Sequence, residues 1–268
     1  MIRYAILKLL YAVPTLFAVL ALVFALTRII PGDPAQLILG DQATPQAIAA
    51  LREELGLDKP MWVQFLDFVG GVLQGDFGTS IVTGASVESL VADVLPATLE
   101  LTVASLLIGA AIGIPAGAWA AVHRNGIPDI VSRLASLIGL SLPAFVFGIL
   151  LLIVFSVNLG WFPVISAPGD GGLLERLRAL VLPAVTLGIL MAAYITRVTR
   201  SSMLQVLGED FIRTARAKGV PWWRIVRRHA LRNAVIPVAT VVGLYLGVLI
   251  GNSVLTEIVF NRPGLGKL

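Results

Sequence analysis

Five long apolar runs, separated by polar stretches, form the main pattern of this chain. The runs cover Leu9–Ile30, Leu99–Val122, Leu134–Val157, Leu180–Thr196 and Ala234–Leu255. Each has the length of about 17 to 25 residues that a helix needs to cross the hydrocarbon core of a bilayer. The pattern therefore predicts an all-α polytopic membrane protein with five spans in this sequence.

The composition supports a membrane protein. Hydrophobic residues make up 57% of the chain and charged residues 13%, whereas soluble domains average about 45–50% and about 25%. The sequence contains no cysteine, which excludes disulfides and sulfur-ligated metals. The first apolar run exceeds the roughly 7–15 residues of a signal-peptide core, and no clear cleavage site follows it. We therefore expect residues 1–30 to form an uncleaved transmembrane helix.

Charge is distributed very unevenly between the loops. The loop Arg197–Asn233 carries nine Lys and Arg residues and two acids, whereas Pro31–Pro96 carries nine acids and two Lys and Arg residues. Basic loops face the cytoplasm in membrane proteins. The distribution predicts an extracytoplasmic region at residues 31–97 and a membrane core at 98–268 that contains a cytoplasmic loop at 197–233. Nucleic acid is a poor explanation of the net charge in a chain this apolar.

Basic residues near other span ends agree with this orientation. Arg3 and Lys8 precede the first span, and His123 and Arg124 follow the second, so we expect the N-terminus to be cytoplasmic. Five spans that start inside the cell end outside it. We therefore expect the natural protein to continue beyond Leu268 into a sixth span.

The extracytoplasmic region is predicted to be a folded insertion. Residues Pro45–Leu55 read as a helix with Thr44 as N-cap and Gly56 just after the end. Met61–Leu73 reads as a second helix, with Trp62, Phe65, Phe68 and Val69 along one side, and Gly75–Ser80 as a tight turn. The insertion is either a docking platform or lid for an external partner, or a cap that binds nothing.

The interiors of the spans carry glycine and proline but almost no charge. No span has a central Asp, Glu, Lys, Arg or His, which argues against an ion-coupled carrier and a metal pathway. A membrane enzyme would need a clustered set of acids, bases or metal ligands, and none is evident. Glycines spaced by four allow close helix packing, and prolines permit kinks. These residues are Gly109, Gly113 and Gly117, Gly243, Gly247 and Gly251, and Pro115, Pro143, Pro183 and Pro237.

The basic loop has an internal order of its own. Phe211–Lys218 reads as a short helix that starts beside two acids and ends at Gly219. A helix of barely two turns is unstable alone in water, so we expect it to dock into something. Pro221 opens a second, basic helix with its apolar residues on one side, which is typical of a segment that contacts anionic lipid.

Two stretches of this loop resemble the "EAA" loop of ATP-binding-cassette importer permeases. They are Thr214–Gly219 and Arg227–Ala234. The motif's first two positions fall on Arg213 and Thr214, and its later Ile and Pro on His229 and Arg232; these departures resemble the dipeptide/oligopeptide/nickel branch. Further segments similar to that branch occur in order along the chain. They are Gly56–Pro60, Val63–Phe65, Gly75–Ser80, Pro96–Leu101 and Phe260–Gly266.

The resemblance implies a type I importer transmembrane domain in the bacterial inner membrane. Such a chain pairs with a second permease, two ATP-binding-cassette ATPases and an extracytoplasmic solute-binding protein, and imports di- and oligopeptides. ATP and Mg would be bound by the ATPases, since the chain lacks a phosphate-binding G-x-x-x-x-G-K-[ST] loop. The residues implied to contact an ATPase are Asp210, Phe211, Thr214, Ala215, Ala217, Lys218 and Gly219, with Ala215 facing the ATPase groove.

Three alternatives stay open at this point. The same architecture could carry nickel chelates, glutathione or oligosaccharides. A stand-alone channel or carrier is a second class, and a membrane enzyme is a third. The sequence predicts no catalytic residue, metal ligand or resident cofactor, and the residues that line the translocation pathway cannot be named from it.

Overall fold

The computed structural model describes residues 2–29, 33–40, 43–80, 82–165 and 172–268. The predicted boundaries at Ile30 and Pro31 and the acidic residue Asp41 lie outside these ranges. The regular structure of the described residues is helical, apart from one isolated bridge between Thr79 and Ser86. This confirms the all-α class. The chain divides into two compact units, Met1–Ala92 and Asp93–Leu268, which are taken separately below.

The first unit begins with one long helix and three shorter ones. They are α1 (Ile2–Ile29), α2 (Pro34–Leu39), α3 (Pro45–Glu54) and α4 (Met61–Gln74). The predicted caps of α3 are present: Thr44 Oγ1 accepts a hydrogen bond from the Ala47 amide at 3.3 Å, and Gly56 follows with a φ of +64°. That φ explains why glycine stands there, because other residues adopt it only with strain.

Aromatic contacts hold α4 against α1 within this unit. The ring of Phe65 meets those of Phe17 and Phe24 at centroid distances of 5.3 and 5.4 Å, and Phe68 lies 5.9 Å from Phe24. The predicted apolar side of α4 therefore exists, but Trp62 does not belong to it, since it is 67% exposed.

The second unit is a bundle of long helices. Its elements are α5 (Val87–Val122, which begins in the first unit), α6 (Ile127–Ser141), α7 (Ala144–Leu151, continued by a π-helical segment to Asn158), α8 (Leu173–Leu207), α9 (Asp210–Ala217), α10 (Trp222–Arg224, continued by a π-helical segment to Ala230) and α11 (Leu231–Val259). We call the end that holds the α5–α6 turn and α9 the basic end.

The third predicted span is not one straight helix. It consists of α6 and α7, which meet at an angle of 101°. The break falls at Leu142 and Pro143, where proline has no N–H to donate and disfavours the helical conformation of the residue before it. The predicted span Leu134–Val157 therefore consists of two helices, and the break falls at Pro143, where a kink was expected.

Helices α8 and α11 reach further into the basic end than the hydropathy pattern indicated. Helix α8 continues past Thr196 to Leu207, and the basic segment after Pro221 runs without a break into α11 as one helical stretch, Trp222–Val259. The helix predicted to open at Pro221 is present, but it continues into α11 instead of ending before the span. Polar residues at the end of a span lower its hydropathy without breaking its backbone hydrogen bonds, so a hydropathy boundary underestimates the helix.

Close packing between α5 and α8 forms the centre of the second unit. A Cβ added at Gly113 would lie 2.7 Å from Ile195 Cβ, and one at Gly117 would lie 2.5 Å from the Thr196 carbonyl oxygen. By contrast, nothing lies within 4 Å of a Cβ added at Gly243, Gly247 or Gly251 of α11. Only the first glycine series therefore packs a helix within the described chain.

The number of apolar helices agrees with the hydropathy pattern. Within the ranges that the structure describes, four helices are long and apolar enough to cross a membrane, and a fifth span results if the bent pair α6–α7 counts as one. Within the first unit, helix α1 contacts α4 through Phe17 and Phe24, but none of the residues of its most apolar window is fully buried there.

We predict that replacing Gly117 by Ala destabilises the chain and that replacing Gly247 by Ala does not. The new methyl group at position 117 meets backbone, and overpacking of this kind costs about 1–3 kcal/mol. Both changes gain the helix preference of alanine, about 1 kcal/mol, so their difference isolates the packing cost. The free energy of unfolding of the full chain in mixed micelles measures it. Equal effects at the two positions would contradict the close approach of α5 and α8.

Candidate coupling site

Helix α9 is a short, well-defined element at the basic end. It runs from Asp210 to Ala217, with Glu209 in extended conformation at its N-cap and Lys218 at its C-cap. Acids at the start and a base at the end complement the helix dipole. Gly219 has a φ of +74°, a left-handed conformation that glycine adopts without cost. The sequence therefore predicted this helix to within one residue at each end.

Helix α9 is anchored to the bundle through one side. Ile212 is 1% exposed and belongs to an apolar cluster that joins α5, α8 and the Trp222–Val259 stretch. Ala215 and Val220 are half-buried and pack against the same cluster. Ala215 therefore contacts the chain's own core with part of its surface, and its contact with an ATPase stays a prediction.

The opposite side of α9 is exposed in the second unit. The Thr214 hydroxyl donates to the Asp210 carbonyl oxygen at 3.0 Å, and Arg213 pairs with the Asp210 carboxylate at 3.1 Å. Phe211 is 43% exposed, which is costly for an aromatic ring in water. The predicted coupling residues that are exposed are Asp210, Phe211, Thr214, Ala217, Lys218 and Gly219.

A buried ion pair fastens the basic end of α6 to α8. Arg200 donates from Nη2 to Asp129 Oδ2 at 2.8 Å and from Nε to Oδ1, and the Asn125 amide donates to Oδ2 at 2.9 Å. Asp129 is fully buried. The pair was not predicted from the sequence, because Arg200 is one of nine Lys and Arg residues in the basic stretch Arg197–Asn233. Arg200 stands seven residues before the end of α8, so the pair ties α6 to the helix that leads directly into α9.

A second polar network closes the opposite end of the unit. Glu257 is fully buried, accepts from Thr98 Oγ1 at 2.6 Å and accepts from the Gly266 amide at 2.8 Å. A Cβ on Gly264 would collide with the Glu257 carboxylate. The segment after α11 therefore folds back onto α5, and its glycines are required for the approach.

Glu100 extends this network across three elements. It pairs with Arg262 at 2.8 Å and with Arg176 of α8 at 3.1 Å. The inference that buried charge is nearly absent is thus wrong for Glu257 and Asp129. The repeated glycines of Pro263–Gly266 were the available signal, because a tight approach to a buried acceptor requires them.

No group of three or more His, Cys, Asp and Glu side chains is placed to hold a metal ion in the described ranges. The lack of a resident cofactor stays a prediction. With α9 anchored on one side and exposed on the other, the arrangement is suited to transmit movement between a partner and the bundle.

The fold and this site define a membrane component of a transport system. The family described as "Binding-protein-dependent transport system inner membrane component" matches residues 113–268, and "Binding-prot-dependent transport system membrane comp, N-term" matches residues 1–102. The chain belongs to this family, as an ATP-binding-cassette importer permease of the dipeptide/oligopeptide/nickel type. It is therefore a permease subunit of a binding-protein-dependent importer.

Curated relatives resemble the chain over its full length. It is 46% identical over 268 residues to the glutathione transport system permease protein GsiC of Salmonella choleraesuis (strain SC-B67) and of Escherichia coli (strain K12). The match covers 100% of this chain and 85% of each relative.

Solved structures share the fold at lower identity. Two inward-facing structures of the MetNI methionine ABC transporter match with TM-scores of 0.53 and 0.54 at 24% identity. They cover 66% and 67% of this chain, and 77% and 78% of the matched chains. This likeness supports a type I importer fold.

We predict that replacing Asp129 by Asn destabilises the chain by about 3–5 kcal/mol, the cost of breaking a buried ion pair. The control is Asp67→Asn, which removes a Lys59 pair of the same 2.8 Å distance but with side chains 53% and 58% exposed. Such exposed pairs contribute about 0–1 kcal/mol. Denaturant unfolding of both variants measures the difference. A loss at position 129 no larger than at 67 would show that the buried pair does not hold α6 to α8.

Proposed function

We propose that this chain is the transmembrane subunit of an ATP-driven importer of short peptides and that it forms half of the translocation pathway. Glutathione, a tripeptide, is the first candidate substrate within that class. The observation that carries the substrate is the 46% identity to a glutathione permease along all 268 residues. Because the match covers the whole chain, it includes the residues of the pathway as well as those of the coupling region.

The exposed side of α9 is the surface that we assign to an ATPase. Phe211, Thr214 and Lys218 are exposed there, and an exposed ring on a two-turn helix favours burial by a partner. Ala215 positions this surface by packing α9 against the bundle. Gly219 ends the helix and allows the chain to turn after it. ATP and Mg are bound by the ATPase, and this subunit has no catalytic step of its own.

Movement of α9 would pass directly into the bundle. Ile212 sits in the cluster that joins α5, α8 and the Trp222–Val259 stretch, and the Asp129–Arg200 pair adds α6 to the same body. A displacement imposed on the exposed side of α9 by ATP-driven closure of the ATPases is therefore transmitted to four helices. We infer that this displacement turns the pathway outward.

The remaining partners follow from surfaces that the chain leaves uncovered. The glycine series of α11 (Gly243, Gly247, Gly251), against which nothing packs in the described part of the chain, supports a second, similar permease. The acidic region 31–97 is proposed to be extracytoplasmic and to receive a solute-binding protein. The basic end then faces the cytoplasm, as does the N-terminus, in a bacterial inner membrane.

We predict that deleting the gene from its source bacterium abolishes energy-dependent uptake of labelled glutathione and that the gene on a plasmid restores it. Unlabelled di- and tripeptides should compete if the pathway accepts short peptides generally, and only glutathione should compete if it is selective. Uptake of a free amino acid serves as the control and should not change. Unaltered uptake of glutathione and of short peptides in the deletion strain would refute the proposed substrate class.

We predict that Phe211→Ser weakens binding of the ATPase about tenfold or more, because burial of a phenylalanine ring contributes about 1.5–3 kcal/mol. Titration of the purified ATPase against the permease in detergent measures this. The control is Phe77→Ser in the first unit, where the ring is 51% exposed, similar to the 43% of Phe211. Equal affinity of the Phe211 variant and the unmodified chain would remove α9 from the ATPase interface.

A further inference from the structure

An apolar groove lies at the basic end, beside α9 but separate from its exposed face. It has a volume of about 300 Å³. Helix α5 forms one wall and the beginning of the Trp222–Val259 stretch forms the other. The lining includes Trp119, Val122, Trp222, Trp223, Val226 and Arg227.

Three indole rings line this groove, at the end of two long apolar helices. Trp119 is 58% exposed, Trp222 40% and Trp223 59%. Exposed tryptophans at the ends of spans are typical of the membrane–water interface, where an indole contacts acyl chains with its ring and polar groups with its N–H. The groove therefore lies at the depth where lipid headgroups begin.

Unpaired cations surround the rings. The Arg216 guanidinium stacks on Trp222 at 4.2 Å, and that of Arg224 lies 5.4 Å from the ring of Trp223. Arg227 lines the groove itself. Over the ranges that the structure describes, none of these three guanidiniums pairs with a carboxylate, unlike Arg200 and Arg213. The edge of an apolar groove thus carries positive charge with no internal counterion.

We propose that this groove binds an anionic phospholipid. The acyl chain lies along the tryptophan-lined floor, and the phosphate of the headgroup lies against Arg227 and Arg224. Basic pockets between membrane helices on the cytoplasmic side bind anionic headgroups in this way, and a neutral lipid would leave the guanidiniums without an anion. The proposal depends on the membrane topology but not on the transported substrate.

The groove is mechanically joined to α9. Arg216 belongs to α9 and Trp222 forms part of the groove, so their stacking links the two directly. A lipid that orders Trp222 therefore also steadies the helix that we assign to the ATPase. The anionic lipid acts as a structural partner of the coupling site.

The experiment is tryptophan quenching by brominated lipids in nanodiscs that hold the full chain assembled with its ATPases. Brominated phosphatidylglycerol should quench at a lower mole fraction than equally brominated phosphatidylcholine. The double variant Arg224→Gln/Arg227→Gln should weaken the phosphatidylglycerol preference by about fivefold for each arginine removed. The control Arg232→Gln, an exposed cation that does not line the groove, should leave it unchanged.

Trp119→Phe/Trp222→Phe/Trp223→Phe identifies the quenched rings, since the chain also contains Trp62 and Trp161. Loss of the lipid-selective quenching in that variant supports the proposal. Equal quenching by the two brominated lipids would mean that only annular lipid is present and would overturn it. Quenching that occurs in the isolated chain but disappears when the ATPases bind would also overturn it, because the groove would then be a protein interface.

Discussion

The close approach of α5 and α8 is the constraint on which the second unit depends. A membrane provides little hydrophobic force between helices, so their association relies on close packing and a few polar contacts. Gly109, Gly113 and Gly117 bring α5 against Met191, Ile195 and Thr196 of α8, at distances that leave no room for a side chain. The apolar cluster around Leu101, Leu187 and Val238 then adds α11 to this pair, and the stacked rings of Tyr194 and Tyr245, 4.8 Å apart, continue the same contact.

Polar interactions attach further segments to the α5–α8 pair at both of its ends. At the basic end the Asp129–Arg200 pair adds α6, and at the other end Glu257 and Glu100 fasten the segment after α11 to α5. Both carboxylates that lie fully buried are hydrogen-bonded or paired, as burial of charge requires. With its ends fixed in this way, the bundle can move as one body when α9 is displaced. In the proposed importer, opening of the pathway would then occur between this body and the second permease.

Local sequence signals predicted the local structure well. Thr44 and Gly56 delimit α3, and Gly219 ends α9, because a cap or a positive φ depends only on a few neighbouring residues. The features that depend on tertiary packing were not predictable in the same way. The partial burial of Ala215 could not be predicted, because which side of α9 is buried depends on the packed bundle. The extension of α8 beyond Thr196 was not predicted because hydropathy reports composition and not the continuity of a helix. The burial of Asp129 was not predicted because hydropathy does not report which charges pair. Which residues line the pathway is also undetermined, since an apolar pathway has no chemical signature in the sequence.

Site-specific cross-linking tests the central claim, that the exposed side of α9 is the ATPase contact. The chain contains no cysteine, so Lys218→Cys and Lys267→Cys each introduce a single thiol, the second at the opposite end of the same unit. A short thiol-to-amine reagent is applied to native membranes, and the linked partner is identified by mass spectrometry. The account predicts that an ATP-binding-cassette ATPase is linked to position 218 and not to position 267. An accessible thiol at position 218 that links no ATPase, or equal linkage at the two positions, would contradict it.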